Sequence, residues 1–336
     1  MSDGRSRVPR RAWLGFGVVM LVGVMAVSLM LGAFWISPHE IIGWISRTAS
    51  GTTGEMTDRV LSSIRLPRVL GAALMGATLG IVGAVLQGTY RTPLADAHLL
   101  GYSSAAGVGA ALGFAITPVG AFPFVPVFLA SLTAATFGIG SAALRSRTGT
   151  DRFILAGVAF GFALLAWTGV FVLIVDSPRV PTLLFFVFGS LSGATWKILA
   201  MTTVVLIPAL AMLWRYGPGL DLMALGDRDA THLGFNAGRL VPLIVGIVGV
   251  AVGASVVLGG VVGFVGLLVP FVLRPLIGPR HRTLIPGSAI AGAIAVVVID
   301  TLARTLAAPA EIPLGLLTAT VGGPFLAWML LRRNAT

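Results

Sequence analysis

Long apolar runs, each close to the length that crosses a bilayer, alternate with short polar breaks along the whole chain. Ten of them read as membrane-spanning helices: residues 12–36, 66–88, 98–117, 122–144, 153–175, 196–214, 239–259, 263–277, 284–306 and 312–331. The third and fourth share one uncharged run. We divide it at Pro118, Pro123 and Pro126, because proline removes a backbone donor and three so close together favour a turn. The stretch 180–196 is apolar but interrupted by Gly189 and Gly193, and reads as a short interfacial or re-entrant helix. The first run is too long for the apolar core of a signal peptide and shows no cleavage site, so it is kept as a retained span. The pattern predicts an all-α polytopic membrane protein.

Composition agrees with the pattern. The chain is 56% hydrophobic and 10% charged, where a soluble domain carries about a quarter charged residues. It has no cysteine, which excludes disulfides and thiolate metal sites, and its four histidines (His39, His98, His232, His281) form no ligand spacing. The net charge of +11 comes from basic residues in short loops between apolar runs, which indicates topology control and no nucleic-acid partner. With the N-terminus inside, sixteen of the 23 Lys and Arg residues fall on the cytoplasmic side and seven outside, placing both termini in the cytoplasm. Glycine pairs at four-residue spacing (Gly76/Gly80, Gly109/Gly113, Gly157/Gly161, Gly249/Gly253, Gly259/Gly263) predict close helix–helix approach. The similar spacing in the oppositely directed second and seventh spans hints at an inverted repeat.

Several chemistries are excluded. Lys197 is the single lysine, so no GxxxxGK[ST] phosphate loop exists, and any ATP is bound by another subunit. Ion-coupled transport generally uses acids in mid-membrane, and only Asp300 approaches that description, near the outer end of the ninth span. Arg304, four residues on, is placed to pair with it. No paired carboxylates, metal ligands or nucleophile–base set supports catalysis. The membrane subunit of a primary transporter is the leading class. An ion-coupled secondary transporter and a lipid-modifying membrane enzyme are its rivals.

Two features ask for partners. Between the sixth and seventh spans the charges crowd into a cytoplasmic island, "DLMALGDRDATHLGFNAGR", in which Gly226 gives a turn, Asp227 can cap a short helix and Gly234 can end it. At the outer mouth of the second span, "IRLPRVL" presents Arg65 and Arg68 around Pro67, a residue suited to a first helical turn. These arginines could reach lipid phosphates, or, with Arg304, dock acidic residues of an external protein.

The motifs resemble the permeases of type II bacterial ABC importers for iron–siderophore complexes, haem and cobalamin. The similar stretches run from "IRLPRVLGAALMGATLGIVGAVLQGTYRTPLADAHLLGYSSAAGVGAALG" at 64–113 through "ILAGVAFG" at 154–161, "FGSLSGATW" at 188–196 and "LMALGDRDATHLGF" at 222–235. They continue with "GGVVGFVGLLVPFVLRPLIGPRHRTLIPGSAIAGA" at 259–293 and "DTLARTLAAPAEIPLGLLTATVGGPFLAWMLL" at 300–331. The resemblance implies one transmembrane permease domain over 1–336 in the bacterial inner membrane, working as a homodimer with a path along the dimer axis. It implies two cytoplasmic ATPase subunits holding ATP and magnesium, an external or periplasmic substrate-binding protein, and no cofactor, metal or catalytic residue in this chain. Arg65, Arg68 and Arg304 match the family's docking arginines. Leu225, Gly226, Asp227, Arg228, Asp229, His232, Leu233 and Gly234, within 215–238, match its coupling helix, which seats in the ATPase. "RTGTDR" resembles its cytoplasmic gate, making Thr150 and Asp151 gate candidates, although Asp151 also suits a plain helix cap. Two positions depart from the pattern: Phe271 replaces a common histidine, and Thr92 stands before Pro93 where relatives have asparagine. The resemblance puts an iron–siderophore complex first as cargo, then haem and cobalamin, with oxyanions further off.

Overall fold

The protein's computed structural model describes residues 10–32, 34–51, 56–118, 124–148, 150–174, 187–224, 232 and 237–333. In chain order the helices are α1 (Arg10–Met30), α2 (Pro38–Ser50), α3 (Met56–Val60), α4 (Leu66–Tyr90), α5 (Tyr102–Ile116), α6 (Phe124–Thr148) and α7 (Thr150–Ile174). They continue as α8 (Trp196–Arg215), α9 (Gly217–Met223), α10 (Ala237–Gly259), α11 (Val265–Ile277), α12 (His281–Thr305) and α13 (Leu314–Arg333). Among the described residues, six helical segments are long and apolar enough to cross a membrane: within α1, through α3–α4, and in α6, α8, α10 and α12. Four shorter apolar segments lie in α5, α7, α11 and α13, where the remaining runs were expected. Of the stretch 180–196, expected as a short interfacial or re-entrant helix, residues 180–186 lie outside the described residues, and 189–195 form a turn, with no helix, leading into α8.

Burial ranks these helices. In the α3–α4 segment 78% of the apolar window is buried, against 6% in α1, so α4 is the central post and α1 its periphery. Phe16, Val19 and Val22 of α1 are exposed, as are Val204 and Ile207 of α8. Apolar side chains turned outward in this way suit lipid and would be costly in water. Leu86, Tyr90, Leu206, Leu213, Val248 and Val252 fill a core shared by α4, α8 and α10. Val69, Met75, Val265, Val296 and Val297 form a second core between α4, α11 and α12.

Small residues set the closest contacts. A Cβ on Gly76 would overlap the Gly292 carbonyl, and one on Gly80 the Ser288 carbonyl, so α4 and α12 touch backbone to backbone. Gly249 and Gly253 bring α10 equally close to Ala134 and Ser131 of α6.

Helix ends differ from the expected runs for identifiable reasons. The first run ends at Met30, short of residue 36. After it comes α2, which opens with a reciprocal capping box. The Ser37 amide donates to Glu40 Oε2 at 2.6 Å, and the Glu40 amide to Ser37 Oγ at 3.3 Å. Donation from the Ser37 amide holds the Glu40 carboxyl below its usual range. Ile42 and Ile45 line one exposed side of α2, while Arg47 ties it to the buried Asp58 at 2.7 Å. The helix leading into α4 starts at Met56, ten residues before the expected span. Pro67 stands in the first turn of α4, as expected, but α4 runs on from α3 without a break. A wide turn over Leu61–Arg65, in which the Leu66 amide bonds the Leu61 carbonyl, joins the two and takes up the irregularity that the proline imposes.

Candidate functional site

The ends of the α4–α12 pair carry two polar clusters. At the expected outer end, the turn before α4 aims Arg65 at the end of α1, whose last carbonyls lack helical donors. Arg65 Nη1 donates to the carbonyls of Leu29 (2.6 Å) and Met30 (3.0 Å), and Nη2 to that of Phe34 (2.6 Å). Its guanidinium also lies 4.8 Å from the Phe34 ring centroid. A side chain at Gly32 would collide with this guanidinium. Arg304 completes the cap, donating from Nη1 to the Leu31 carbonyl and from Nη2 to Ser28 Oγ at 2.7 Å. Cations at a helix C-terminus are stabilised by its dipole.

Arg68 sits one helical turn on from Arg65 and faces α12. Its Nε donates to Asp300 Oδ1 at 3.0 Å, while Nη1 and Nη2 grip the Glu311 carboxylate as a fork at 2.7 and 3.0 Å. Asp300 also meets Arg304 Nε at 3.2 Å, the i,i+4 pair expected from the sequence. Asp300 is fully buried, and Arg65, Arg68 and Arg304 are 4%, 6% and 7% exposed. The three expected docking arginines are therefore gathered in one place, their donors turned to acceptors of this chain. The cluster holds three guanidinium groups and two carboxylates, so it carries one surplus positive charge.

At the opposite end, α9 presses against the start of α12. The Asp221 carboxylate accepts from the His281 amide at 2.9 Å and lies 2.7 Å from its Nδ1. An acid at this position caps the N-terminus of α12. Beside it, Arg274 Nη2 donates to Gln87 Oε1 at 3.1 Å, and Gln87 Nε2 donates to the Leu267 carbonyl at 3.2 Å. The residue that caps α12 is thus the first residue of the charged island, on the short helix at its start.

Of the coupling candidates, Leu225, Gly226, Asp227, Arg228, Asp229, Leu233 and Gly234 lie outside the described residues, and His232 is exposed. Thr150 and Asp151 open α7, and their side chains are outside the described set. At the first departure position, Phe271 packs edge-on against Phe325 of α13, with ring centroids 5.2 Å apart. At the second, Thr92 Oγ1 accepts from the Leu94 amide at 3.4 Å. Among the described residues, no group of three His, Asp or Glu side chains could hold a metal ion.

Glu311 and the Asp221–His281 pair escaped the sequence reading. The signal for Glu311 was present: it is the single acid after Asp300, set between two apolar runs at the end where the arginines gather.

A bundle of apolar helices with paired polar clusters at its ends, and no phosphate loop of its own, defines a membrane-spanning transport subunit. The pattern of the FecCD transport family matches residues 20–332, and the chain belongs to that family, the permeases of type II ABC importers. It is 35% identical over 334 residues to the hemin transport system permease protein HmuU of Yersinia pestis, covering 98% of both chains. It is 37% identical over 330 residues to the vitamin B12 import system permease protein BtuC of Klebsiella pneumoniae, covering 96% of this chain and 94% of that one. A solved metal-chelate type ABC transporter in an inward-facing conformation superposes with a TM-score of 0.76 at 27% identity, covering 95% of this chain and 98% of that one.

Proposed function

We propose that this chain crosses the bacterial inner membrane ten times with both termini in the cytoplasm, and pairs with a second copy to enclose a translocation path. Two ATPase subunits bind the segment 215–238, and their ATP cycle rocks the pair between outward- and inward-open states. An external substrate-binding protein delivers the cargo, docking through acidic side chains on Arg65, Arg68 and Arg304. The cargo is an iron complex, a siderophore chelate or haem, with cobalamin as the alternative. The relatives named for hemin and vitamin B12 support a metal chelate of this kind.

One observation carries the docking reading: three arginines meet at one end of the bundle against two carboxylates. A surplus cation held in fixed geometry is a receptor for a carboxylate. The test is a titration of the system's binding protein onto the permease–ATPase complex in nanodiscs. Arg65→Glu with Arg68→Glu is expected to weaken association at least about tenfold. A binding protein whose docking acids are replaced by lysine should regain part of that loss. Unchanged affinity, together with indifference to salt, would contradict the reading.

A further inference from the structure

The docking arginines present a physical problem: all three are buried and already bonded. A partner's carboxylate can reach them only if something leaves. Asp300 cannot, since it is fully buried and shared between Arg68 and Arg304. The backbone carbonyls of Leu29, Met30 and Phe34 cannot, because they belong to α1 and the turn that follows it.

Glu311 differs on three counts. It lies outside the helices, on the connection between α12 and α13, which is pinned by the Ile312 amide bonding the Ala303 carbonyl at 3.0 Å. Its side chain is 32% exposed, against 7% for Arg68 and none for Asp300. Its carboxylate binds the outer Nη1–Nη2 side of Arg68, while Asp300 takes the Nε–Nη2 side, Nη2 lying 3.0 Å from its Oδ1. Removing Glu311 leaves a guanidinium still anchored by Asp300, with its two outer donors aimed along one direction. That is a preformed site for one bidentate carboxylate. It also raises the surplus charge of the cluster from one to two.

We infer that Glu311 is a built-in stand-in for the partner's carboxylate: it occupies the Arg68 fork while the permease is undocked and gives way when the binding protein arrives. This rests on the docking reading above. The exchange keeps the buried guanidinium paired in both states, which matters because an unpaired buried charge is strongly destabilising. It also sets the affinity, because a binding-competent fork populated only part of the time lowers apparent affinity by that fraction. The docked partner would leave the 306–313 connection, which joins α12 to α13, without its tie to α4.

The experiment is the same nanodisc titration with Glu311 altered. Glu311→Gln should tighten association with the binding protein by a factor of roughly three to ten, the inverse of the fraction of time the fork stands free. Because the chain contains no cysteine, Glu311→Cys gives each permease chain one addressable thiol, labelled before the partners are added. A neutral methyl thiosulfonate should keep the gain, and an anionic sulfonatoethyl thiosulfonate, which returns a negative charge, should abolish it. Thermal denaturation of each variant separates loss of fold from loss of docking. Unchanged or weaker association in both the Glu311→Gln and the neutral Cys-adduct proteins would overturn the exchange. If Arg68→Gln still weakened docking in that case, the docking reading would survive without it. If neither Arg68 nor Glu311 variants moved the affinity, both would fall.

Discussion

Asp300→Ala tests the arginine–carboxylate cluster at its centre. Asp300 has no exposed surface and is shared by Arg68 and Arg304. Its loss leaves two buried guanidinium groups with fewer acceptors. Breaking a buried pair from one side costs about 3–5 kcal/mol, mostly as the penalty on the remaining charge. Here Arg68 retains Glu311 and Arg304 retains Ser28 and the Leu31 carbonyl. The lower end of the range, about 3 kcal/mol, is therefore expected, which is roughly two decades in the unfolding equilibrium. Reversible denaturation in mixed micelles, followed by helical circular dichroism, reads this directly. Removing both charges with Asp300→Leu and Arg304→Met should recover much of the loss, since neither ion is then left buried alone. A single variant within about 0.5 kcal/mol of the parent protein, the scatter of ordinary surface changes, would refute the argument. So would a double variant no more stable than the single.

Gly76→Leu is expected to cost about 1–3 kcal/mol by forcing α4 and α12 apart, whereas Gly323→Ala, which meets nothing within 4 Å, should be nearly neutral; thermal denaturation of the two distinguishes close packing from a general effect of glycine loss. The Glu40 carboxyl lies below its ordinary value of 4.5 in the folded chain, so its contribution to α2 is present above that value and is lost as pH falls through the lower folded value. Amide exchange at the start of α2 should therefore quicken in acid, and Glu40→Gln should remove the pH dependence. Arg228→Glu, or substitution of Gly226, is expected to cut ATP hydrolysis stimulated by the binding protein while leaving membrane insertion intact; stimulation that survives both would remove the coupling role from this segment.

Apolar runs made the helices legible, because span length and lipid-facing side chains leave a direct trace in sequence. Their ends were less so. The α1 terminus at Met30 depends on Arg65 and Arg304, which come from distant parts of the chain and supply the donors that the last carbonyls need. The early start of the α4 helix depends on a wide turn at Leu61–Arg65, and nothing in the residue types distinguishes it from a proline-led start. The α2 capping box was readable in Ser37-Pro38-His39-Glu40, but extending the first run to residue 36 left it attached to a loop.

The arginine cluster divides in the same way. Asp300 and Arg304 are one helical turn apart, so their pairing follows from spacing alone. Arg68 and Asp300 are separated by 232 positions, and Arg68 and Glu311 by 243; those contacts required the packing of α4 on α12. The glycine pair Gly76/Gly80 signalled that close packing without naming its partner. Gly292 and Ser288 supply it.

In the proposed function this chain is the membrane path of an ATP-driven importer loaded by an external binding protein. The most direct measurement is uptake of a radiolabelled iron chelate into proteoliposomes containing this chain and its ATPase, with the loaded binding protein outside and ATP inside. Accumulation is expected to need both the binding protein and ATP hydrolysis, and to fall when Arg65 and Arg68 are reversed in charge. Accumulation driven by an ion gradient alone, without ATP or the binding protein, would contradict it.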